Sequence, residues 1–127
     1  MPTILVVDDH GPTRRPLVRL LQLEGYKVVS AADAFEATTM AKRNLPDLIL
    51  LDVMIPPIDG LTFLMLLRQE GPQFQVPVIL VTGLNDSQTA ERARELGVKD
   101  YLVKSQFTLE ELIRLVKKYI PQTPVNA

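Results

Sequence analysis

The sequence contains no cysteine, which excludes disulfides, thiolate metal sites and thiol redox chemistry. Long hydrophobic runs are also missing, because no apolar stretch approaches the roughly 18 residues that a membrane span requires. The start Met1-Pro2-Thr3-Ile4 lacks the charged and apolar regions of a secretion signal. We therefore expect a soluble, cytoplasmic chain that does not contact a membrane.

An excess of charge of one sign is absent as well. The 14 Lys and Arg residues stand against 15 Asp and Glu residues, for a net charge of −1 at pH 7. This balance gives no support for direct binding of nucleic acid through a basic surface. The 127 residues, with 46% hydrophobic and 23% charged residues, suit one globular domain. We predict that domain over residues 1–120, with 121–127 as a tail or the start of a linker.

Short apolar runs alternate with longer segments of helical period, which predicts an α/β fold of parallel strands joined by crossover helices. The predicted strands are Ile4–Val7, Lys27–Ala31, Leu48–Leu51, Val78–Val81 and Tyr101–Val103. The predicted helices run from Thr13 to Gly25, Asp33 to Arg43, Gly60 to Glu70, Asp86 to Leu96 and Thr108 to Pro121. Strands one, three and four are apolar nearly throughout, as expected when helices cover both faces of the sheet.

The start of the first helix is unusual, because Pro12 and Pro16 both fall near it. Pro16 lacks the amide that would bond four residues back in the interior of a helix. Thr13 as the N-cap would place Pro16 in the first turn, where that amide is not needed. We therefore predict a late or distorted start for this helix.

Acidic residues follow two of the apolar runs. Asp8 and Asp9 come directly after the first, and Asp52 comes directly after the third. In an open parallel α/β sheet, sites lie beyond the carboxyl ends of the strands, where the strand order reverses. Three carboxylates gathered there repel and lose hydration, so each would hold a proton unless a cation compensates them. Mg²⁺ suits such a site of carboxylate, carbonyl and water oxygens, and Mn²⁺ is the alternative.

Thr82 and Lys104 end two further strands and complete a set that is suited to phosphoryl chemistry. Asp52 is the predicted nucleophile, which would form an acyl phosphate. Lys104 would neutralise phosphoryl charge, and the Thr82 hydroxyl would donate to a phosphoryl oxygen. The predicted metal ligands are Asp9, Asp52, the backbone carbonyl of Met54, and Asp8, either directly or through a metal-bound water.

Four motifs together resemble the receiver domains of two-component response regulators, in particular the chemotaxis-type single-domain receivers. The motifs are Val7-Asp8-Asp9, then Leu51-Asp52-Val53-Met54 followed by Pro56 and Asp59-Gly60, then Val81-Thr82-Gly83, and finally Asp100-Tyr101-Leu102-Val103-Lys104. The resemblance extends from Ile4 to about Ile120. It implies a flavodoxin-like, doubly wound fold with a five-stranded parallel sheet in the order 2-1-3-4-5, flanked by five helices.

The resemblance also implies a phosphorylation switch. Asp52 would accept a phosphoryl group, with Mg²⁺, from the phosphohistidine of a histidine kinase or a histidine phosphotransfer protein. Thr82 would then move toward the phosphoryl group and Tyr101 would turn inward. The face of helix four, strand five and helix five would change and control an output protein or effector domain. The chain would be a signalling phospho-acceptor that catalyses only its own phosphorylation and dephosphorylation. Whether phosphorylation drives a dimer stays open.

Two loops depart from the family pattern. Ser105 follows Lys104, where the family usually has proline and commonly a cis bond. A cis bond before serine would cost about 2.5 to 4 kcal/mol, so we expect a trans bond here. Pro56-Pro57 is also more rigid than usual.

Three side chains near the acidic residues are predicted to be surface groups. His10 follows the acidic pair, but Mg²⁺ prefers oxygen ligands. Arg14 and Arg15 are interpreted as a solvated helix face.

Met54 and Leu84 lie two residues beyond Asp52 and Thr82, at positions that in this family flank the water attacking the acyl phosphate. Both are apolar. We hypothesise that they exclude or misplace that water and so prolong the phosphorylated state.

Three other functions share part of the pattern. A phosphatase of the haloacid-dehalogenase type also uses an aspartate after an apolar strand, but it needs a general acid where Met54 stands. A flavodoxin-like flavin module shares the strand order, but Asp8 and Asp9 would repel its phosphate and no tryptophan can stack on its ring. An interaction domain that is never phosphorylated remains an alternative, although the complete acidic, threonine and lysine set argues against it.

Overall fold

The computed structural model describes residues 1–83 and 86–120. Five parallel strands form one sheet in the order β2-β1-β3-β4-β5, as predicted. The strands are β1 Thr3–Val7, β2 Lys27–Ala31, β3 Leu48–Leu51, β4 Val78–Thr82 and β5 Asp100–Val103. Each predicted strand is present, with bounds that agree to within one residue.

The described residues contain five α-helices and one short 3₁₀ helix; the last α-helix follows the last strand, and the others lie between strands. The α-helices are α1 Gly11–Leu23, α2 Ala34–Asn44, α3 Gly60–Arg68, α4 Ser87–Glu95 and α5 Leu109–Tyr119, and the 3₁₀ helix is Pro72–Phe74. Four of the α-helices begin where a side-chain oxygen accepts from the amide three residues on; these N-caps are Asp33, Asp59, Asp86 and Thr108. No helix in the described ranges is long and apolar enough to cross a membrane.

The sequence predicts a late or distorted start for α1, and the late start is wrong. The helix begins at Gly11, with His10 as a cap residue whose side chain makes no capping bond, and Pro16 lies inside it. The amides of Thr13 and of the next residue both donate to the His10 carbonyl, at 3.0 and 2.9 Å. The His10 amide in turn donates to the carboxylate of Asp8 at 2.9 Å. The turn that follows β1 therefore sets the helix start, and the capping preference of Thr13 does not.

The sheet separates two helical layers. Helices α2, α3 and α4 bury apolar side chains on one face, while α1 and α5 cover the other. Alternate residues of the central strands contribute to each layer, so Leu5 and Val7 face one side while Ile4 and Val6 face the other. This two-sided burial explains why the central strands are continuous apolar runs.

Arg68, the last residue of α3, lies at the edge of the sheet where β4 begins. Its guanidinium donates to the carbonyls of Leu96 at 3.1 Å, Phe74 at 2.8 Å and Val76 at 3.1 Å. Burial lowers the pKa of Arg68. One cation thus joins the ends of α3 and α4, the 3₁₀ helix and the segment that enters β4.

Candidate functional site

Three carboxylates meet at the carboxyl ends of β1 and β3. Val7 pairs with Leu51 in the parallel ladder, so the residues that follow them, Asp8 and Asp52, are neighbours. One oxygen from each of Asp8, Asp9 and Asp52 lies within 4.8 Å of the other two. Asp8 and Asp52 are each only 3% exposed, whereas Asp9 faces solvent. The structure thus brings the predicted acidic residues together in a cluster that opens on the side of Asp9.

The Lys104 ammonium lies between two of these carboxylates. Its Nζ is 2.8 Å from Oδ2 of Asp52 and 2.9 Å from Oδ2 of Asp8. Burial acts to lower the pKa of Lys104, but the hydrogen bonds and charges of Asp52 and Asp8 outweigh it, and the pKa is raised. With all three carboxylates ionised, Lys104 reduces three negative charges to two. One divalent cation would neutralise the remainder, and hard carboxylate oxygens fit Mg²⁺.

The other oxygens of the two buried carboxylates are held by their own loops. Oδ1 of Asp8 accepts from the amide of His10 at 2.9 Å, and Oδ1 of Asp52 accepts from the amide of Met54 at 3.1 Å. Each bond closes a local turn two residues long. Both carboxylates are therefore oriented before any ligand binds.

Gly60 lies directly against the backbone of Asp52. Its amide donates to the Val53 carbonyl at 2.7 Å, and a Cβ on this residue would stand 2.1 Å from the Asp52 carbonyl oxygen. The sequence marked Gly60 as part of a motif and as a helix start, but it did not indicate this close approach to Asp52. Helix α3 can begin so near Asp52 only because the residue has no side chain.

The two predicted switch residues lie in β4 and in β5, which is its neighbour at the edge of the sheet. Thr82 is fully buried at the end of β4, and its carbonyl accepts from the Lys104 amide at 2.9 Å. Tyr101 is half-buried in β5. Burial and the charge of Asp86 raise the pKa of Tyr101, although a bond with the Asp86 backbone acts in the opposite direction. Because Asp86 is the N-cap of α4, this bond places the Tyr101 hydroxyl at the start of that helix.

The loop after β3 forms one wall of the site. Met54 is 60% exposed there, and Leu84, the other residue of the water hypothesis, lies outside the described residues. Beside Asp9, a cavity of about 320 Å³ is lined mainly by apolar side chains that include Met54 and Pro57. Within the described ranges the only cis peptide joins Pro56 to Pro57. The Lys104–Ser105 bond is trans, as predicted.

Two arginines near the site make contacts that the sequence did not indicate. Arg14 is half-buried and its Nη1 donates to the Asp8 carbonyl at 2.7 Å, so its prediction as a solvated side chain is wrong. Arg15 is exposed, as predicted. His10 is exposed as well, with its Nδ1 2.7 Å from the hydroxyl of Thr13.

The second arginine, Arg92 of α4, pairs with the N-cap of α3. Its Nη2 lies 3.3 Å from Oδ1 of Asp59. Burial acts to raise the pKa of Asp59, but the Thr62 amide and Arg92 lower it. The family motif included Asp59, but no sequence pattern links it to an arginine 33 residues away on another helix.

Comparison with known proteins agrees with this geometry. A family model described as the response regulator receiver domain matches residues 4–117. The probable transcriptional regulator ycf27 of Porphyridium aerugineum is 41% identical over 125 residues, which are 97% of this chain and 51% of that protein. The DNA-binding dual master transcriptional regulator RpaA of Synechocystis sp. is 36% identical over 124 residues, with shares of 97% and 51%. The chain spans about half the length of these relatives.

Solved structures show the same architecture. Chemotaxis protein CheY4 of Vibrio cholerae superposes with a TM-score of 0.86 at 29% identity, covering 94% of this chain and 99% of that one. The BeF₃-activated N-terminal receiver domain of Klebsiella pneumoniae RstA gives a TM-score of 0.84 at 28% identity, with the same coverage.

Proposed function

The chain belongs to the response regulator receiver domains, which act as phosphorylation switches in two-component signalling, and from this premise we propose that Asp52 is its phosphorylation site. The phosphoryl group would come from the phosphohistidine of a histidine kinase or a histidine phosphotransfer protein. The observation that carries the proposal is the placement of Asp52 beside Asp8 and Asp9 with Lys104 bonded to it. Phosphoryl transfer to a carboxylate requires acidic groups that can hold a metal ion, a nucleophilic carboxylate and a cation. All of these lie together at the carboxyl ends of the strands.

The proposed metal is Mg²⁺, with Mn²⁺ as the alternative. Asp8, Asp9, Asp52 and the backbone carbonyl of Met54 would hold it, because they supply hard oxygen donors and the cluster carries uncompensated negative charge. When bound, the metal would neutralise the carboxylates and the phosphoryl oxygens. Asp9, the exposed member of the cluster, marks the side from which it would enter.

In the transfer itself, a carboxylate oxygen of Asp52 attacks phosphorus as the phosphorus–nitrogen bond of the donor breaks. The electron pair of that bond stays on the imidazole nitrogen. Lys104 now bonds to Asp52, and it would exchange this contact for a phosphoryl oxygen as negative charge moves outward. The buried Thr82 hydroxyl would donate to another phosphoryl oxygen.

The switch follows from the same neighbours. The Lys104 amide bonds to the Thr82 carbonyl, so a movement of Thr82 toward the phosphoryl group displaces both strand ends. Tyr101 would then turn inward and leave the start of α4, where its hydroxyl now lies. The face formed by α4, β5 and α5 would change, and that change would control the output.

A matched pair of variants tests the phosphorylation site. The purified chain is incubated with Mg²⁺ and a small-molecule phosphodonor, and its intact mass is measured. The wild type and Asp59→Asn should each gain one phosphoryl group, while Asp52→Asn gains none. Phosphorylation of Asp52→Asn would refute the assignment, and removal of Mg²⁺ with a chelator should abolish labelling of the wild type.

The lifetime of the phosphorylated state is a second part of the proposal. Met54 has no group that can position water beside Asp52, and it borders an apolar cavity. Replacement by asparagine supplies an amide that can orient a water molecule, so Met54→Asn should lose the phosphoryl group faster. An unchanged lifetime would contradict this role.

The relatives suggest the output. The relatives ycf27 and RpaA, each about twice as long as this chain, are named transcriptional regulators. We propose that residues 1–120 act as the receiver unit and control an effector domain or a separate output protein, with 121–127 as a tail or linker that lies outside the described residues. A cytoplasmic location belongs to the same proposal, and fractionation of cells that express the chain tests it.

A further inference from the structure

Arg14 lies in the first turn of α1 and reaches back toward the acidic cluster. Its Nη1 donates to the main-chain carbonyl of Asp8 at 2.7 Å. In the part of the chain that the structure describes, this is the one hydrogen bond of the guanidinium, and no carboxylate oxygen lies within 4.0 Å of it. The partner of the cation is thus a neutral backbone group, so neutralisation of an acid does not explain its position.

The bond completes a small ring around the turn between β1 and α1. The Asp8 carbonyl accepts from the Arg14 side chain, the His10 carbonyl accepts from the Arg14 amide at 2.9 Å, and the His10 amide donates to the Asp8 carboxylate. Asp8 is therefore held at both its backbone and its side chain. A closed ring of bonds restricts the turn more than any one of them alone.

This restraint matters because the first turn of α1 has little other support. Pro16 removes the backbone bond that the Pro12 carbonyl would accept in a regular helix. The cap residue His10 makes no side-chain capping bond, and the first turn contains no acidic residue. Thr13 would provide a good alternative N-cap two residues after Gly11. The sequence thus permits a later start, and the Arg14 contact holds the earlier one.

We propose that Arg14 is a positioning residue for the acidic cluster. By holding the Asp8 carbonyl it keeps α1 starting at Gly11, and it thereby fixes Asp8 and Asp9 beside Asp52. The inference rests on the proposed metal and phosphoryl function of that cluster.

A positioning role for Arg14 and a purely electrostatic role predict changes of opposite sign in Mg²⁺ affinity when the side chain is replaced. Removal of a positive charge near an acidic site should strengthen the binding of a cation. Loss of a group that orients a ligand weakens it, by about 10- to 100-fold for outer partners of metal ligands. The direction of the change therefore separates the two explanations.

Three variants measured by calorimetric titration with Mg²⁺ provide the test. Arg14→Met should weaken binding about tenfold. Arg15→Met removes the same charge from the adjacent, exposed residue and should bind as the wild type does or slightly more tightly. Arg14→Lys retains the charge and a donor for the Asp8 carbonyl, so it should recover most of the loss. Equal affinity of Arg14→Met and Arg15→Met would overturn the proposal.

A measurement without metal keeps this proposal separate from the proposed function. Hydrogen exchange of the amides of His10 and Thr13, followed by NMR, should be about fivefold faster in Arg14→Met than in the wild type, as expected for a lost hydrogen bond. Unchanged exchange in both amides would refute the positioning role. A wild-type chain that fails to take up Mg²⁺ would contradict the proposed metal site, while the exchange rates would still decide the role of Arg14.

Discussion

Gly60→Ala should damage both the stability of the chain and its phosphorylation. A Cβ at this position would lie 2.1 Å from the carbonyl oxygen of Asp52 and 3.0 Å from its carbonyl carbon. Real Cβ contacts are essentially never shorter than 3.0 Å, so the two backbones must separate by about 0.9 Å, the difference between 3.0 and 2.1 Å. Neither backbone can give way as a flexible side chain would.

The size of the effect follows from two opposing terms. Overpacking of a tight contact costs about 1–3 kcal/mol. Alanine in place of glycine in a helix returns about 0.5–1 kcal/mol. We therefore expect the free energy of unfolding to fall by about 1–2 kcal/mol. If the backbone of Asp52 takes up the displacement, phosphorylation should slow by about 10- to 100-fold, since a misplacement near 1 Å has such an effect on a reacting group.

Urea unfolding followed by circular dichroism measures the first effect, and the initial rate of phosphorylation by a small phosphodonor measures the second. Gly83→Ala is the matched control for stability, because a Cβ there meets nothing within 4 Å. It should change the free energy of unfolding by less than about 0.5 kcal/mol. Equal stability of Gly60→Ala and this control would refute the predicted clash with the Asp52 backbone. Reduced stability with a normal phosphorylation rate would show that α3 moves and Asp52 does not.

Three further variants probe the charges. Lys104→Met leaves two carboxylates without their cation, so the free energy of unfolding without metal should fall by about 1–3 kcal/mol, and added Mg²⁺ should raise the melting temperature more than in the wild type. The hydrogen bond to Asp100 raises the pKa of Tyr119 above 10.0, so its stabilisation is present below that pH and is lost as the pH rises through the raised value. The free energy of unfolding of Tyr119→Phe, measured by urea titration at a series of pH values, should therefore fall less steeply at alkaline pH than that of the wild type. Burial acts to raise the pKa of Asp59, but its Thr62 and Arg92 contacts lower it below 3.8, so their stabilisation is present above that pH and is lost as the pH falls through the lowered value. As the pH is lowered, the free energy of unfolding of Arg92→Gln should fall less than that of the wild type, with a difference of less than about 1 kcal/mol.

Signals that are local in sequence predicted the elements of the fold well. Continuous apolar runs identified the central strands, because burial on both faces leaves no alternation. The predicted start of the last helix at Thr108 agrees with the N-cap of α5, and Gly97 follows the end of α4 with a φ of +77°. The acidic cluster was predictable for the same reason, since adjacent parallel strands place the residues after them together.

Specific side-chain contacts, with the backbone or with another helix, explain what the sequence did not predict. Local rules place Pro16 in a first turn, but the helix begins earlier, at Gly11, where Arg14 and His10 both contact Asp8. A side chain that bonds to a backbone carbonyl leaves no trace in hydrophobic periodicity. The same holds for Arg92, whose partner lies on another helix.

The hydrogen bond from Arg68 to the carboxyl end of α4 restricts how that helix can be displaced. The guanidinium holds the Leu96 carbonyl at the sheet edge remote from Asp52, together with the two segments that precede β4. A tilt of α4 would therefore have its pivot at Leu96. The lever arm runs about 15 Å to Asp86, beside the Tyr101 hydroxyl. The amplitude would be greatest there and would vanish toward the anchored end.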